Sequence, residues 1–94
     1  MKVIVESNLH ISTLFEPPME VELEGDGSLQ SLLARLNERC RSIRFLEGGS
    51  VGDDVHEIVV NGQDLFSMPQ GLDTPLREGD RVKVEVYMDP LGGG

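Results

Sequence analysis

The sequence predicts one α+β domain, in which a main helix packs on one face of a mixed sheet of four to five strands. Residues 81–87 alternate strictly between polar and apolar side chains, and so do residues 19–24, as expected for half-buried strands. Between these two segments, leucines recur at helical spacing. The resulting order of strand, strand, helix, strand, strand is typical of the α+β class.

The first two predicted strands lie before the helix. Lys2–Glu6 is a short run rich in β-branched residues and predicts the first strand. In the second, Met19, Val21 and Leu23 share one face and three glutamates share the other. This pattern predicts a half-exposed strand, antiparallel to the first if the two form a hairpin.

The predicted helix follows a break at Gly25–Ser28, where either Asp26 or Ser28 could cap it by accepting a free backbone N–H. Its apolar positions are Leu29, Leu32, Leu33, Leu36, Cys40 and Ile43. Its polar positions are Gln30, Arg35, Glu38, Arg39 and Arg41. Cys40 lies on the apolar stripe, which predicts a small buried hydrophobe rather than a reactive thiol.

The second half of the chain predicts a loop and two further strands. The glycine-rich segment 47–54 predicts a surface loop, and Ile58-Val59-Val60 predicts a strand covered on both sides. Asn61-Gly62 indicates a turn. An irregular segment follows, whose apolar residues are expected to close the open end of the core: Leu65, Phe66, Met68, Leu72 and Leu76. Pro90 should end the last strand, which predicts a domain at 1–90 and a tail at 91–94.

The composition of the chain limits the classes of partner that it can bind. The net charge is −9 over 94 residues, so the surface should repel nucleic acid and anionic lipid, and a charged partner should be basic. There is one cysteine and no long apolar run resembling a signal peptide or membrane span. These features predict a cytoplasmic protein that binds neither nucleic acid nor membranes.

Other candidate sites are weak. Asp53, Asp54, His56 and Glu57 could ligate a metal, but strand alternation directs His56 and Glu57 to opposite faces, so no metal site is predicted. Gly48-Gly49-x-x-Gly52 lacks the lysine and the helix of a phosphate loop. A basic group on and after the helix is expected to be a solvated face with weak ion pairs: Arg35, Arg39, Arg41 and Arg44.

The last three residues are Gly92, Gly93 and Gly94. Taken alone, a glycine-rich end is usually a frayed terminus or a linker. Here it follows the clearest strand directly, after Pro90 and Leu91. Because glycine has no Cβ, such a segment can pass extended through a narrow slot and deliver its carboxylate into another protein's active site.

Four blocks resemble the MoaD/ThiS family of ubiquitin-like sulfur carriers, and the molybdopterin synthase small subunit most closely. They are VVNG at 59–62, GLDTPL at 71–76, EGDRV at 78–82 and the closing Gly93-Gly94. The resemblance covers nearly the whole chain. It implies a β-grasp fold in which the first and last strands lie side by side in the centre of the sheet.

The resemblance also implies a chemical cycle at Gly94. An activating enzyme that uses Mg-ATP would adenylate the carboxylate, and a sulfurtransferase would supply the sulfur that converts it to a thiocarboxylate. Gly93 and Gly92 would thread the partner's active site, while Leu91 and Met88 would dock on its rim. The chain itself would bind no metal or cofactor and would catalyse nothing, although it could form the small subunit of a complex such as molybdopterin synthase.

Several alternatives stay open. The sulfur acceptor could be the large subunit of molybdopterin synthase acting on a molybdenum or tungsten pterin precursor, which chain length and GLDTPL favour by resemblance. The other possible sulfur acceptors are a thiazole precursor, activated serine and a transfer RNA base. In a second hypothesis, the chain is a ubiquitin-like modifier joined to lysines through Gly94. In a third, it is an interaction module whose glycines are incidental.

Overall fold

The structure is a computed structural model that describes residues 1–13, 15–24 and 26–87. Its elements are β1 (Lys2–Ser7), β2 (Met19–Glu22), α1 (Leu29–Arg39), β3 (Leu46–Glu47), β4 (Ser50–Val51), β5 (Val55–Val60), β6 (Gln63–Asp64), two 3₁₀ turns (Leu65–Ser67 and Gly71–Asp73) and β7 (Arg81–Val86). Five strands form one mixed sheet in the order β2-β1-β7-β5-β6. The predicted α+β class with a single main helix is confirmed.

Strands β1 and β7 lie side by side and parallel in the centre of this sheet, as the resemblance implied. Their register pairs Ile4 with Arg81 and ends at Ser7 with Val84. The hairpin of β1 and β2 is antiparallel, as predicted. Because β5 is antiparallel to both β7 and β6, the chain leaves β7 at the end of the sheet where β5 begins.

Helix α1 covers one face of the sheet. The Ser28 hydroxyl accepts a hydrogen bond from the Ser31 amide at 3.3 Å, so Ser28 is the N-cap. The four leucines of the apolar stripe are fully buried, and the core holds no buried polar or charged residue among those described. Burying each leucine contributes about 1.5–3 kcal/mol relative to leaving it in water.

The helix ends earlier than its apolar stripe. Cys40 is the C-cap, with an extended φ of −137°, and Ile43 lies beyond the helix. The side chain of Asn37 accepts from the Phe45 amide and donates to the Leu46 carbonyl, each at 2.8 Å, which turns the chain back toward α1. Cys40 is nonetheless fully buried, as predicted.

The predicted surface loop at 47–54 is wrong in part, because β3 and β4 form a short hairpin there. Gly48 and Gly49 occupy its turn with φ of 55° and 80°. A two-residue hairpin turn of type I′ requires positive φ at both central residues, which glycine adopts without strain. The glycines that suggested irregular structure therefore make the turn of a regular one.

Two predictions about burial are also wrong. Ile58 and Val60 are buried, but Val59 is only half-buried, because no layer covers the second face of the sheet among the described residues. Phe66 was expected to close the core, yet 90% of its surface is exposed. The 3₁₀ turn directs Leu65 inward and Phe66 outward, so Leu65 and Leu76 close this end of the core.

The turn predicted at Asn61-Gly62 is confirmed. Asn61 and Gly62 join β5 to β6 with φ of 50° and 85°, and Gly79 turns the chain into β7 with φ of 83°. The two-residue strand β6 was not predicted. None of the helices in the described part of the chain has the length and apolar character needed to cross a membrane.

Candidate functional site at the exit of strand β7

The exit of β7, defined as Val86 and Tyr87, is where the chain leaves the sheet. The predicted site residues Met88, Leu91, Gly92, Gly93 and Gly94 lie outside the described residues, so their roles stay predictions. The exit is the described part of the molecule that leads into them. Its geometry therefore bears most directly on what the C-terminal segment could do.

Asn8 holds one side of the exit. Its Oδ1 accepts from the Val86 amide and its Nδ2 donates to the Val86 carbonyl, both at 2.9 Å. The β1–β7 ladder ends at Ser7 and Val84, so the Asn8 side chain continues it by one further rung. A side-chain amide can do this because it carries both a donor and an acceptor, like a peptide group.

Asp54 holds the other side. Its carbonyl accepts from the Tyr87 amide at 2.9 Å, while Val55 next to it pairs with Val86. The Asp54 carboxylate accepts from the Arg44 amide at 2.7 Å and from Arg44 Nε at 3.3 Å. Hydrogen bonds from the Arg44 backbone and guanidinium hold the pKa of the Asp54 carboxyl below its ordinary value. This residue thus ties the exit to the chain before hairpin β3–β4.

An aromatic pair flanks the exit. The ring of Tyr87 is 65% exposed and meets the ring of His56 edge to face, with centroids 5.0 Å apart. The β5–β7 register shifts between Val55 and Glu57, an irregularity that re-aims the side chain between them. No group of three or more potential metal-ligating side chains occurs among the described residues, and His56 contacts Tyr87 instead.

The hydrogen bonds at the exit position the main chain. Val86 is fixed on both sides and Tyr87 on one, while the one cysteine is fully buried in the core. In the predicted basic group, Arg35 lies 3.8 Å from Glu38, and Arg44, which also binds Asp54, lies 3.8 Å from Glu47. These exposed pairs agree with the predicted solvated face. The exit is suited to presenting a segment to another protein.

Sequence inspection missed Asn8 and the Asp54 carbonyl. Asn8 follows the end of β1, and only the parallel pairing with β7 places it beside Val86. The resemblance implied that pairing, so the residue after the first strand was the available signal. No signal in the sequence marks the backbone carbonyl of Asp54.

Solved structures share this fold at low sequence identity. The HVO 2177 protein of Haloferax volcanii is 19% identical with a TM-score of 0.75, over 96% of this chain and 86% of its own. SAMP1 of Haloferax volcanii is 16% identical with a TM-score of 0.66, over the whole of both chains. A putative molybdopterin converting factor, subunit 1, of Pyrococcus furiosus is 22% identical with a TM-score of 0.65, over 93% of this chain and 98% of its own. These similarities establish the ubiquitin-like β-grasp fold.

Family membership rests on the sequence. No curated protein matches it. The model of the ThiS family matches residues 10–94. This range contains the β7 exit, the terminal glycines and all the strands except β1. Small ubiquitin-like proteins of this kind are generally carriers without catalytic activity, and they serve partner enzymes of sulfur-transfer pathways. The chain therefore belongs to the ThiS family.

Proposed function

We propose that the protein is a sulfur carrier whose terminal Gly94 alternates between a carboxylate and a thiocarboxylate. The observation that carries this proposal is the match to the ThiS family through Gly94 itself. The doubly held exit of β7 supports it, because a carrier must present its terminal segment from a fixed point on a rigid body.

The chemistry follows from the inertness of a carboxylate, whose leaving group would be oxide. Its oxygen attacks the α-phosphate of Mg-ATP, pyrophosphate leaves, and the acyl-adenylate forms. The terminal sulfur of a persulfide then attacks the acyl carbon and AMP leaves. A thiol reduces the resulting acyl disulfide to the thiocarboxylate and is itself oxidised to a disulfide.

Three partners are required in this proposal. An activating enzyme holds Mg-ATP, a sulfurtransferase supplies the persulfide, and an acceptor enzyme takes the sulfur. We assign the acceptor to molybdopterin or tungstopterin synthesis, with the large subunit of molybdopterin synthase as the partner. The similarity to the putative molybdopterin converting factor, subunit 1, of Pyrococcus furiosus motivates this assignment. We place the cycle in the cytoplasm.

Intact-mass spectrometry tests the proposal. The chain is produced with the activating enzyme and the sulfurtransferase encoded in its own genome. A species heavier by the difference between sulfur and oxygen is expected, located by fragmentation at Gly94. A variant lacking Gly93-Gly94 is the control and should stay unmodified while its thermal unfolding is unchanged. Failure to find the heavier species with an activating enzyme shown to be active would contradict the proposal.

A second candidate is protein modification, in which a lysine amine attacks the same acyl-adenylate and forms an isopeptide bond. The small archaeal modifier protein 1 of Methanosarcina acetivorans favours it, since the two chains share a fold over 99% of this one at 20% identity. Extracts of the native organism would then contain heavier conjugates with Gly94 bound to lysine. Detection of the free chain alone would exclude this candidate.

A further inference from the structure

The most exposed large apolar side chain in the described part of the molecule is Phe66, at 90%. It borders an open cleft of about 450 Å³ between hairpin β3–β4 and the two 3₁₀ turns. The apolar residues that line this cleft are Val51, Leu65, Phe66, Met68, Pro69 and Leu72. An aromatic side chain beside a cleft that contains several apolar residues is a common composition of an energetically dominant contact at a protein interface.

The backbone that carries Phe66 is fixed. An Asp64 carboxylate oxygen accepts from the Phe66 amide at 2.9 Å, and the Ser67 hydroxyl donates to the Asp64 carbonyl at 2.8 Å. The Met68 amide then closes the turn on the Leu65 carbonyl at 3.0 Å. Phe66 is thus displayed on a preorganised turn, which lowers the entropy lost when a partner orders it.

The second 3₁₀ turn (Gly71–Asp73), which borders the cleft opposite the hairpin, is also held by hydrogen bonds. The Thr74 hydroxyl donates to the Gly71 carbonyl at 2.7 Å, and the Asp73 amide donates to the Gln70 carbonyl at 2.9 Å. The Thr74 carbonyl accepts from the Leu29 amide at the start of α1, which joins this turn to the core. The cleft is therefore held open by the fold.

The charges around the cleft limit which kind of protein can bind in it. Uncharged residues alone line the cleft, while Asp64 and Asp73 lie next to its lining in the chain. Arg44 is engaged by Glu47 and Asp54, and Arg77 lines the neighbouring cleft instead. A second copy would bring the same carboxylates against these, in a chain of net charge −9. A partner with an apolar socket and a rim of lysine or arginine fits better.

The cleft also lies on the path to the exit of β7. Hairpin β3–β4 forms one wall with Ser50 and Val51, and the chain runs from there through Gly52 to Asp54. Asp54 in turn binds the Tyr87 amide. The hairpin that borders the cleft is thus joined, through Asp54, to the point where the segment after Tyr87 begins.

We propose that Phe66 and this cleft are the docking surface for the activating enzyme, whose contacting surface has an apolar socket rimmed by basic residues. The inference rests on the proposed function, and it concerns the adenylation step, which sulfur carriage and protein modification share. Phe66 contributes affinity, while the segment after Tyr87 delivers the reacting carboxylate.

The test is ATP–pyrophosphate exchange by the activating enzyme of the same genome, with the full chain as substrate. Phe66→Ala should raise KM at least tenfold and leave kcat within twofold, because it removes contacts made equally before and during reaction. Its thermal unfolding should match that of the parent chain, since the side chain is exposed. Asp73→Asn should raise KM less, and KM of the parent chain should rise with salt.

Val59→Ala is the matched control, because Val59 is an apolar residue on the open face of the sheet. A rise in KM for Val59→Ala with none for Phe66→Ala would overturn the inference. So would sedimentation of the parent chain as a dimer that Phe66→Ala dissociates, since a second copy would then occupy the cleft.

Different results would contradict the proposed sulfur-carrier function and the docking surface at Phe66. If the parent chain supports no exchange, the proposed function fails, and binding to the activating enzyme is then measured by calorimetry. Loss of that binding in Phe66→Ala would still support the docking surface. Equal binding of the two chains, or no binding by the parent chain, would overturn it.

Discussion

Strand β7 is braced by an asparagine side chain at each end. At its start, Asn61 Oδ1 accepts from the Arg81 amide at 2.9 Å, and Asn61 Nδ2 donates to the Asp80 carboxylate at 3.0 Å. At its exit, Asn8 makes both of its hydrogen bonds with the main chain of Val86. The two braces are alike in chemistry and differ in what lies beyond them.

The start of β7 is joined to a compact turn, so its brace stabilises the fold. The exit leads out of the sheet toward the residues assigned to transfer, so its brace fixes where that segment begins. Similar hydrogen bonds can therefore stabilise the fold at one end of a strand and position an outgoing segment at the other. Matched asparagine variants at the two ends separate these roles.

Replacing Asn61 should have the larger effect on stability. Its φ is +50°, a conformation that costs other L-residues about 1–2 kcal/mol. Asn61→Ala also removes two exposed side-chain hydrogen bonds, each contributing about 0.5 kcal/mol. We expect the free energy of unfolding in chemical denaturation to fall by about 2–3 kcal/mol.

The control is Asn61→Gly, which tolerates the backbone angle and should lose less. In both variants, kcat for ATP–pyrophosphate exchange should be unchanged below the melting temperature. A marked fall in kcat for a folded Asn61 variant would contradict the assignment of stability to the start of β7 and of presentation to its exit.

Replacing Asn8 should have a smaller effect on stability and a larger one on transfer. Asn8→Ala removes two part-buried hydrogen bonds to Val86 but adds no strain from a positive φ, so the expected loss is about 1–2 kcal/mol. Amide hydrogen exchange at Val86 should accelerate. The kcat of exchange should fall while KM changes little, because the docking surface is intact.

Asn8→Asp tests the same brace with one bond kept. Its carboxylate still accepts from the Val86 amide but repels the Val86 carbonyl, so kcat should also fall. Fast amide exchange at Val86 together with an unchanged kcat in both variants would show that the exit needs no brace.

The sequence predicted those parts of the fold that local chemistry dictates. Alternation located β2 and β7, and Asn61-Gly62 located a turn because few other residues adopt positive φ. Ser28 and Asp26 were equally suitable caps by type. Only the geometry of the chain entering α1 selects Ser28.

The rest depended on contacts between residues distant in sequence. Phe66 looked like a core residue because it is apolar, but its 3₁₀ turn directs it outward. Asn8 looked like a loop residue, and its partner Val86 is 78 positions away. The sequence therefore predicted a reaction at Gly94. The hydrogen bonds from Asn8 that hold the exit could be identified only from the structure.

The smallest expected effect concerns pH at Asp54, which lies on the opposite side of the exit from Asn8. Hydrogen bonds from Arg44 favour the ionised carboxylate in the folded state and lower its pKa. A group with a lowered folded pKa contributes stability above its unfolded pKa, near 3.9 for aspartate, and this contribution is lost as pH falls through the folded pKa. Because 32% of the Asp54 side-chain surface is exposed, solvent screening keeps this contribution small.

Titration followed by NMR measures this directly. The Asp54 carboxyl should titrate below the range of ordinary exposed aspartates, and the Arg44 amide shift should follow the same curve because Asp54 accepts its N–H. In Asp54→Asn, the Arg44 shift should lose that transition while the Tyr87 amide, bound to the backbone carbonyl, keeps its protection from exchange. If Tyr87 lost protection as well, the carboxylate and the exit would be coupled, and the brace on this side would depend on charge in a way that the uncharged Asn8 brace does not.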